Sequence, residues 1–334
     1  MKYSAEEKFL IAACVLAKPA GSGAYPSHEL DWDKLVAIAE ANRLGFYLDK
    51  AIKTHKLKVN RKYLEEIKKL KKREKARYAY FREKLPLLLK VMNKTGLPYA
   101  VLKGGYLAFA LYPAGARFLS DIDILVPEEG RAAAAGALLK AGFQEDKNKS
   151  DKVTTVLKDL LGLEVELSSE LGQLKRILPA KELLQNTARV RLLGEKAYVL
   201  NNEYNLLHLC LHCSMTHSFY DLAKLVDINE YLNKYGADTA KLEKLARKKG
   251  VFRACFIPVG YTGIFWHNKI GLRYNIPGKL AGYFIEYNLN RALRAGYNRL
   301  SAFYGFILPV LLADTFTLKF CLVKDYLVKK AQRG

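Results

Sequence analysis

Cysteine is scarce in this chain: five in 334 residues, odd in number and scattered, a usage that suits free thiols in a reducing compartment and not a disulfide framework. No apolar run reaches the roughly 20 residues that a membrane span needs. The most apolar one, Phe303 to Leu312, is followed by Asp314 and Lys319, so a buried helix is expected there. The first residues lack a secretory pattern, because Glu6 and Glu7 come early and the stretch Phe9 to Ala17 ends at Lys18 without a clear cleavage site. These absences predict a cytoplasmic protein. Internal repeats and low-complexity tracts are missing as well. Acidic residues are in deficit, 33 against 55 lysines and arginines for a net charge of +22, which suits polyanionic partners: nucleoside triphosphates, nucleic acid, anionic lipid headgroups or acidic glycans. What is present in quantity is hydrophobic residues, 50% of the chain, ample for a globular core. The length predicts two packed domains, or one with helical additions.

The stretch Tyr99 to Pro127 carries the chemistry. Tyr99 to Leu102 and Ile122 to Val126 are short apolar runs that read as strands, and Gly104-Gly105 opens a helix between them. A paired glycine at a strand-to-helix turn lets backbone N–H groups approach a phosphate, and the helix N-terminus adds partial positive charge. Asp121 and Asp123 stand two apart on the second strand, so both carboxylates point to one face and could hold divalent cations. Ile122 and Ile124, on the opposite face, are apolar. A glycine turn for the triphosphate and a carboxylate pair for metals are the apparatus of Mg²⁺-dependent nucleotidyl transfer.

Upstream, Tyr3 to Leu16 has helical periodicity, Pro19 to Pro26 reads as a loop, and Asp31 or Asp33 caps a helix whose apolar side holds Leu35, Ile38, Ala39 and Leu44. Arg61 to Asn93 predicts one long helix or two in line, broken or bent near Pro86. Its first half is dense in cations that surround the helix, with Tyr63, Tyr78, Tyr80 and Phe81 interleaved; this tract, 61–82, is either a solvated face or a track for a polyanion such as RNA or an anionic surface. Downstream, Glu128 to Ala141 is a helix stopped by Gly142, and Val153 to Leu157 and Leu163 to Leu167 read as strands around a turn at Leu161-Gly162. Alternation puts Glu164 and Glu166 on one face. From Leu206 to His212 the chain is helical, with His208 and His212 one turn apart. These histidines are read three ways: groups bonding nucleotide or acceptor, a metal cluster with Cys210, Cys213 and His217, or buried residues bonded to Asp227 or backbone. Tyr235 onward is helical, with Lys324, Lys329, Lys330 and Arg333 forming a basic tail.

The order Lys103-Gly104-Gly105, Arg117, Asp121-Ile122-Asp123 resembles the polymerase-beta-type nucleotidyltransferase superfamily, and within it the bacterial "uncharacterised nucleotidyltransferase" family. The Asp31-Trp32 helix and the segment Leu225-Val226-Asp227 are similar to that family's pattern too. The resemblance implies an α+β fold, a small mixed sheet with helices, flanked by N-terminal helices and a C-terminal helical domain. Boundaries are expected at 1–93, 94–200 and 201–334, with the nucleotide held in the cleft between domains. It implies Glu166 as the third carboxylate, metal ligand or general base, with Glu164 as its rival. Gly104 and Gly105 would bind the triphosphate of ATP or another nucleotide. Lys103 and Arg117 would offset charge on its leaving oxygens, while His208, His212 and Asp227 would serve the substrate or support the site. Two Mg²⁺, or Mn²⁺, are the implied cofactors, and a nucleoside triphosphate and an unidentified hydroxyl acceptor the implied partners. Where the family carries histidine and tryptophan after the third acid, this chain has Ser168 and Ser169. A nucleic-acid-binding enzyme that adds nucleotides, and a non-catalytic nucleotide-binding protein, are the alternatives.

Overall fold

Strand alternation and helix punctuation settle most elements. The computed structural model describes residues 3–16, 30–219, 221–274 and 308–331, together with Ile285, Tyr287 and Leu289. The expected loop at 19–26, residues 303–307 of the apolar run, and Arg333 lie outside them. The described chain divides into two compact units, one of residues 73–205 and one combining 1–72 with 206–334.

The first unit is built on a five-stranded mixed sheet. In chain order it contains the second part of helix α4 (Arg61–Thr95), β1 (Ala100–Val101), α5 (Lys103–Ala110), β2 (Asp121–Leu125), α6 (Glu128–Lys140), β3 (Gln144–Glu145), β4 (Thr154–Lys158) and β5 (Glu164–Ser168), then α7 (Ala180–Gln185) and a hairpin of β6 (Thr187–Leu192) and β7 (Glu195–Leu200). The sheet order is β1-β2-β5-β4-β3, with β2 and β5 parallel and the other pairs antiparallel. Ile122, Ile124, Val165 and Leu167 are completely buried, as expected of the core face of a half-buried strand. Arg131 of α6 ties that helix to the sheet, donating to Thr155 Oγ1 at 2.8 Å and to the Lys152 carbonyl at 2.6 Å. The hairpin, not foreseen from the sequence, is a separate two-stranded sheet that packs beside β1: Asn93 and Tyr99 both donate to the Lys196 carbonyl, and the Tyr99 and Tyr198 rings meet edge to face.

Helix α4 runs as one helix through Pro86, the single long helix among the expected arrangements, with no break there. Proline removes one N–H and crowds the preceding turn, but Phe81, Leu85, Leu88, Leu89 and Met92 are buried on both sides of it, and that packing holds the helix together. The aromatics along α4 are engaged in packing: Tyr63 stacks on Trp32, Tyr78 meets Phe109, Tyr80 donates to Asp159, and Phe81 is buried.

The second unit is helical. It holds α1 (Ala5–Ala13), α2 (Trp32–Ala41), α3 (Gly45–Thr54), α8 (Asn202–Leu211) with a π turn over His212–Thr216, α9 (Leu222–Tyr235), α10 (Thr239–Lys248), α11 (Phe252–Trp266) and α12 (Phe316–Ala331), with 308–312 helical before the last. Asp31 caps α2 by accepting from the Lys34 N–H, whereas Asp33 bonds Lys62 and Tyr63. α2 ends at Ala41 because Arg43 turns left-handed at φ 59°. Leu44 therefore caps α3 instead of lying on α2. Among the described residues no helix is long and apolar enough to cross a membrane. The described cysteines are free.

Candidate active site

The parallel register of β2 and β5 builds the site. Asp123 stands beside Glu166 and Asp121 beside Glu164, and neighbouring strands lie only about 4.8 Å apart. Oxygens of Asp121, Asp123 and Glu166 lie within 4.8 Å of one another, all three residues half-buried. Glu164 is drawn elsewhere: Lys149 Nζ lies 2.6 Å and Lys158 Nζ 3.6 Å from its carboxylate. The geometry thus groups Glu166 with the two aspartates and gives its rival to lysines on the neighbouring β3–β4 segment.

Lys103 supplies the opposing charge. Its Nζ is 2.7 Å from Asp123 Oδ1, with the lysine side chain 22% exposed. The backbone reinforces this crossing, since the Leu102 N–H donates to the Asp123 carbonyl at 3.0 Å. Lys103 sits at φ 45°, a left-handed conformation that costs a non-glycine residue about 1–2 kcal/mol. Such strain gathers where neighbouring structure dictates the backbone. Burial pulls the Lys103 ammonium down, but Asp123, Asp121 and Glu166 outweigh it and hold its pKa above the ordinary value. For Glu166 burial and repulsion act together: desolvation first, then Asp123 and Asp121, push it up to about 7 against the opposing pull of Lys103.

The two glycines have distinct surroundings. A Cβ on Gly105 would lie 2.9 Å from Val101 Cγ1 and 3.2 Å from Ile122 Cγ2, so its smallness lets α5 approach the sheet. A Cβ on Gly104 would meet Arg117 Nη1 at 2.6 Å. The Arg117 guanidinium lies over the start of α5 and donates to the Phe118 carbonyl.

Ser168 and Ser169 are used in the scaffold. Ser168 shares a hydrogen bond with Thr154 across the strand pair, and Ser169 donates to Glu128 and to the Val153 carbonyl. Arg77 on α4, one of the cations of the 61–82 tract read from the sequence, has a use there that the sequence reading did not assign. It donates to the carbonyls of Leu119 and Ser120, fixing the segment that delivers Asp121, while Ser120 Oγ donates to Asp121 Oδ1 at 2.8 Å. Its signal was the helical period: Arg77 falls on the buried arc of Ile67, Leu70, Glu74, Phe81 and Leu85, not among the exposed cations.

His208, His212 and Asp227 belong to the helical unit and are buried. The Nε2 atoms of His212 and His217 lie 3.0 Å apart, and the His208 and His212 rings are 5.9 Å apart by centroid. Burial raises the Cys210 and Cys213 thiols well above their ordinary pKa, which disfavours thiolate ligation. Among the described residues the metal-competent group of three or more is the Asp121, Asp123 and Glu166 set, and the histidine-cysteine cluster does not form one. An all-carboxylate donor set suits hard cations such as Mg²⁺ or Mn²⁺.

No curated protein matches the sequence. A crystal structure of an antigenic nucleotidyltransferase-like protein from Paracoccidioides brasiliensis is similar over 50% of this chain and 88% of that one, at 14% identity and a TM-score of 0.35, a likeness too distant to carry an argument. The sequence profile described as "Uncharacterised nucleotidyltransferase" matches residues 28–266. With most of its length inside that match, the chain belongs to the uncharacterised nucleotidyltransferase family.

Proposed function

We propose that the protein transfers a nucleoside monophosphate from a nucleoside triphosphate to a hydroxyl acceptor, releasing pyrophosphate. The observation that carries the reading is the convergence of Asp121, Asp123 and Glu166 within 4.8 Å beside the Lys103-Gly104-Gly105 turn. Asp121, Asp123 and Glu166 would hold divalent cations, which when bound neutralise phosphate charge and lower the pKa of a hydroxyl. The acceptor oxygen attacks the α-phosphorus, the α–β phosphoanhydride bond breaks, and the hydroxyl proton passes to Glu166 as general base. Lys103 and Arg117 offset the charge that gathers on the departing pyrophosphate. The backbone N–H groups at the start of α5 face the phosphates.

The test is transfer of label from α-labelled nucleoside triphosphates, with Mg²⁺, into cell extract. Asp121→Asn/Asp123→Asn is expected to lower transfer by at least about 10³-fold, and equal labelling by both proteins would overturn the assignment. Nucleotide binding with no turnover by either would instead favour a non-catalytic binding protein, the reading that Ser168 and Ser169 keep open by standing in structural roles.

A further inference from the structure

Several cations of α4 are already engaged. Arg61 pairs with Glu65, Lys62 with Asp33, Lys71 with Asp49, Lys84 with Glu83 and Lys90 with Glu195, while Arg77 binds carbonyls. Lys68, Lys72, Lys75 and Arg82 are exposed and make no ion pair among the described residues. At 100° per residue these four fall within about 80° of one another, on a face well away from the buried arc, and span about 21 Å at 1.5 Å per residue. Ala79 fills the remaining position of that face and is exposed. Lys69 and Lys94, also exposed and in no ion pair among the described residues, stand apart from this face, so four of the unpaired cations share one stripe.

Within the sheet-bearing unit the stripe opens into a groove of about 540 Å³ lined by Lys75, Tyr78, Ala79, Arg82, Glu83 and Ala114. One wall is the loop at Gly115, which has φ +78° and whose Cβ position lies 2.7 Å from Lys75 Cγ. The same loop runs on through Arg117 to Leu119 and Ser120, the carbonyls that Arg77 holds next to Asp121. Glu83, the acid in the groove, is 3.1 Å from Lys84 Nζ. The groove thus joins unpaired cations to an aromatic ring, and a short chain segment connects it to the carboxylate site.

We propose that this face of α4 binds a single-stranded nucleic acid, its phosphates on Lys68, Lys72, Lys75 and Arg82 and one base in the groove against Tyr78. Such a strand would be the acceptor for the transfer, a step that rests on the nucleotidyl-transfer reading. Cations along one face of a helix suit a phosphodiester backbone, and a tyrosine at a recess beside them suits an unpaired base. A duplex keeps its bases stacked inside and has none to offer the groove.

Binding is measured by fluorescence anisotropy with a labelled 20-nucleotide poly-U RNA, the same length of duplex RNA, and phosphatidylserine vesicles, without metal or triphosphate. Four phosphate contacts predict a slope of log affinity against log salt near −3, about a 50-fold loss between 50 and 200 mM salt. Lys68→Gln/Lys72→Gln/Lys75→Gln/Arg82→Gln should bind the single strand at least tenfold more weakly and with a flatter slope. Ala79→Glu, a tolerated exposed helix position, should weaken binding with no change in melting temperature. Asp121→Asn/Asp123→Asn should bind the strand like wild type, so loss of transfer with retained binding tests the active site separately. Unchanged affinity and slope in the quadruple variant, preference for duplex, or a stripe dependence confined to vesicles would each overturn the proposal.

Discussion

Glu166 stands where three carboxylates face one lysine, and its titration reports that imbalance. Its pKa is raised from 4.5 to about 7, so the folded protein favours the neutral acid. The contribution is fully present below pH 4.5 and is lost as pH rises through 7. A rise of that size corresponds to at most about 3 kcal/mol, and partial exposure of the site reduces it to about 1–2 kcal/mol. In metal-free protein, Glu166→Gln should therefore raise the melting temperature at pH 8 and leave it nearly unchanged at pH 4.5. A divalent cation reverses the sign, because it needs the ionised acid: Mg²⁺ or Mn²⁺ should stabilise wild type more at pH 8 than at pH 5.5, and Glu166→Gln much less. Thermal melts across that pH range, with and without metal, check both. A glutamine variant with wild-type pH dependence would show that Glu166 does not feel the aspartates.

Between the elements, Arg77 is the joint that matters. α4 reaches the start of β2 through its guanidinium, which lies over the Phe81 ring and bonds two consecutive carbonyls. Arg77→Met keeps the stem but loses both bonds, at a cost of about 1–3 kcal/mol, and frees the segment that aims Asp121. A displacement near 1 Å can lower turnover about 10²-fold. Arg77→Lys should restore little, since one ammonium cannot reproduce a planar fork. Label-transfer kinetics alongside melting curves test this, and a variant that melts lower yet turns over normally would reduce Arg77 to scaffold. The same joint shows what the sequence could and could not reveal. Asp121, Asp123 and Glu166 were legible because strand period and motif order are local, and their meeting needs only the β2–β5 register. For Arg77 the helical period marks only the buried side of α4, because a partner carbonyl 42 positions away leaves no mark in composition. The hairpin from Thr187 to Leu200 was missed although Gly194, at φ 88°, punctuates it and Ala188 to Leu192 alternate apolar residues with arginines. Pro86 does not break α4 because buried neighbours outweigh its local preference, and Leu44 misled because a left-handed Arg43 carries no strong sequence signal.

Charge is the property the full chain decides. With +22 net and a pI near 9.6, like-charge repulsion opposes compactness at neutral pH, while the exposed ion pairs each contribute less than about 1 kcal/mol. Raising salt from 50 to 500 mM shortens the Debye length from above 10 Å toward 4 Å and should screen more repulsion than attraction. The melting temperature at pH 7 is then expected to rise by a few degrees, and the effect should vanish near pH 9.6, where net charge is zero. A fall with salt at pH 7 would mean that pairs such as Lys71–Asp49 and Lys103–Asp123 outweigh the excess. The carboxylate site is an acidic island within this field, three acids to one lysine. A triphosphate drawn in by the surrounding cations would meet repulsion there unless divalent cations accompany it, so its affinity should weaken with salt but strengthen with Mg²⁺, in opposite directions that ionic strength alone cannot produce.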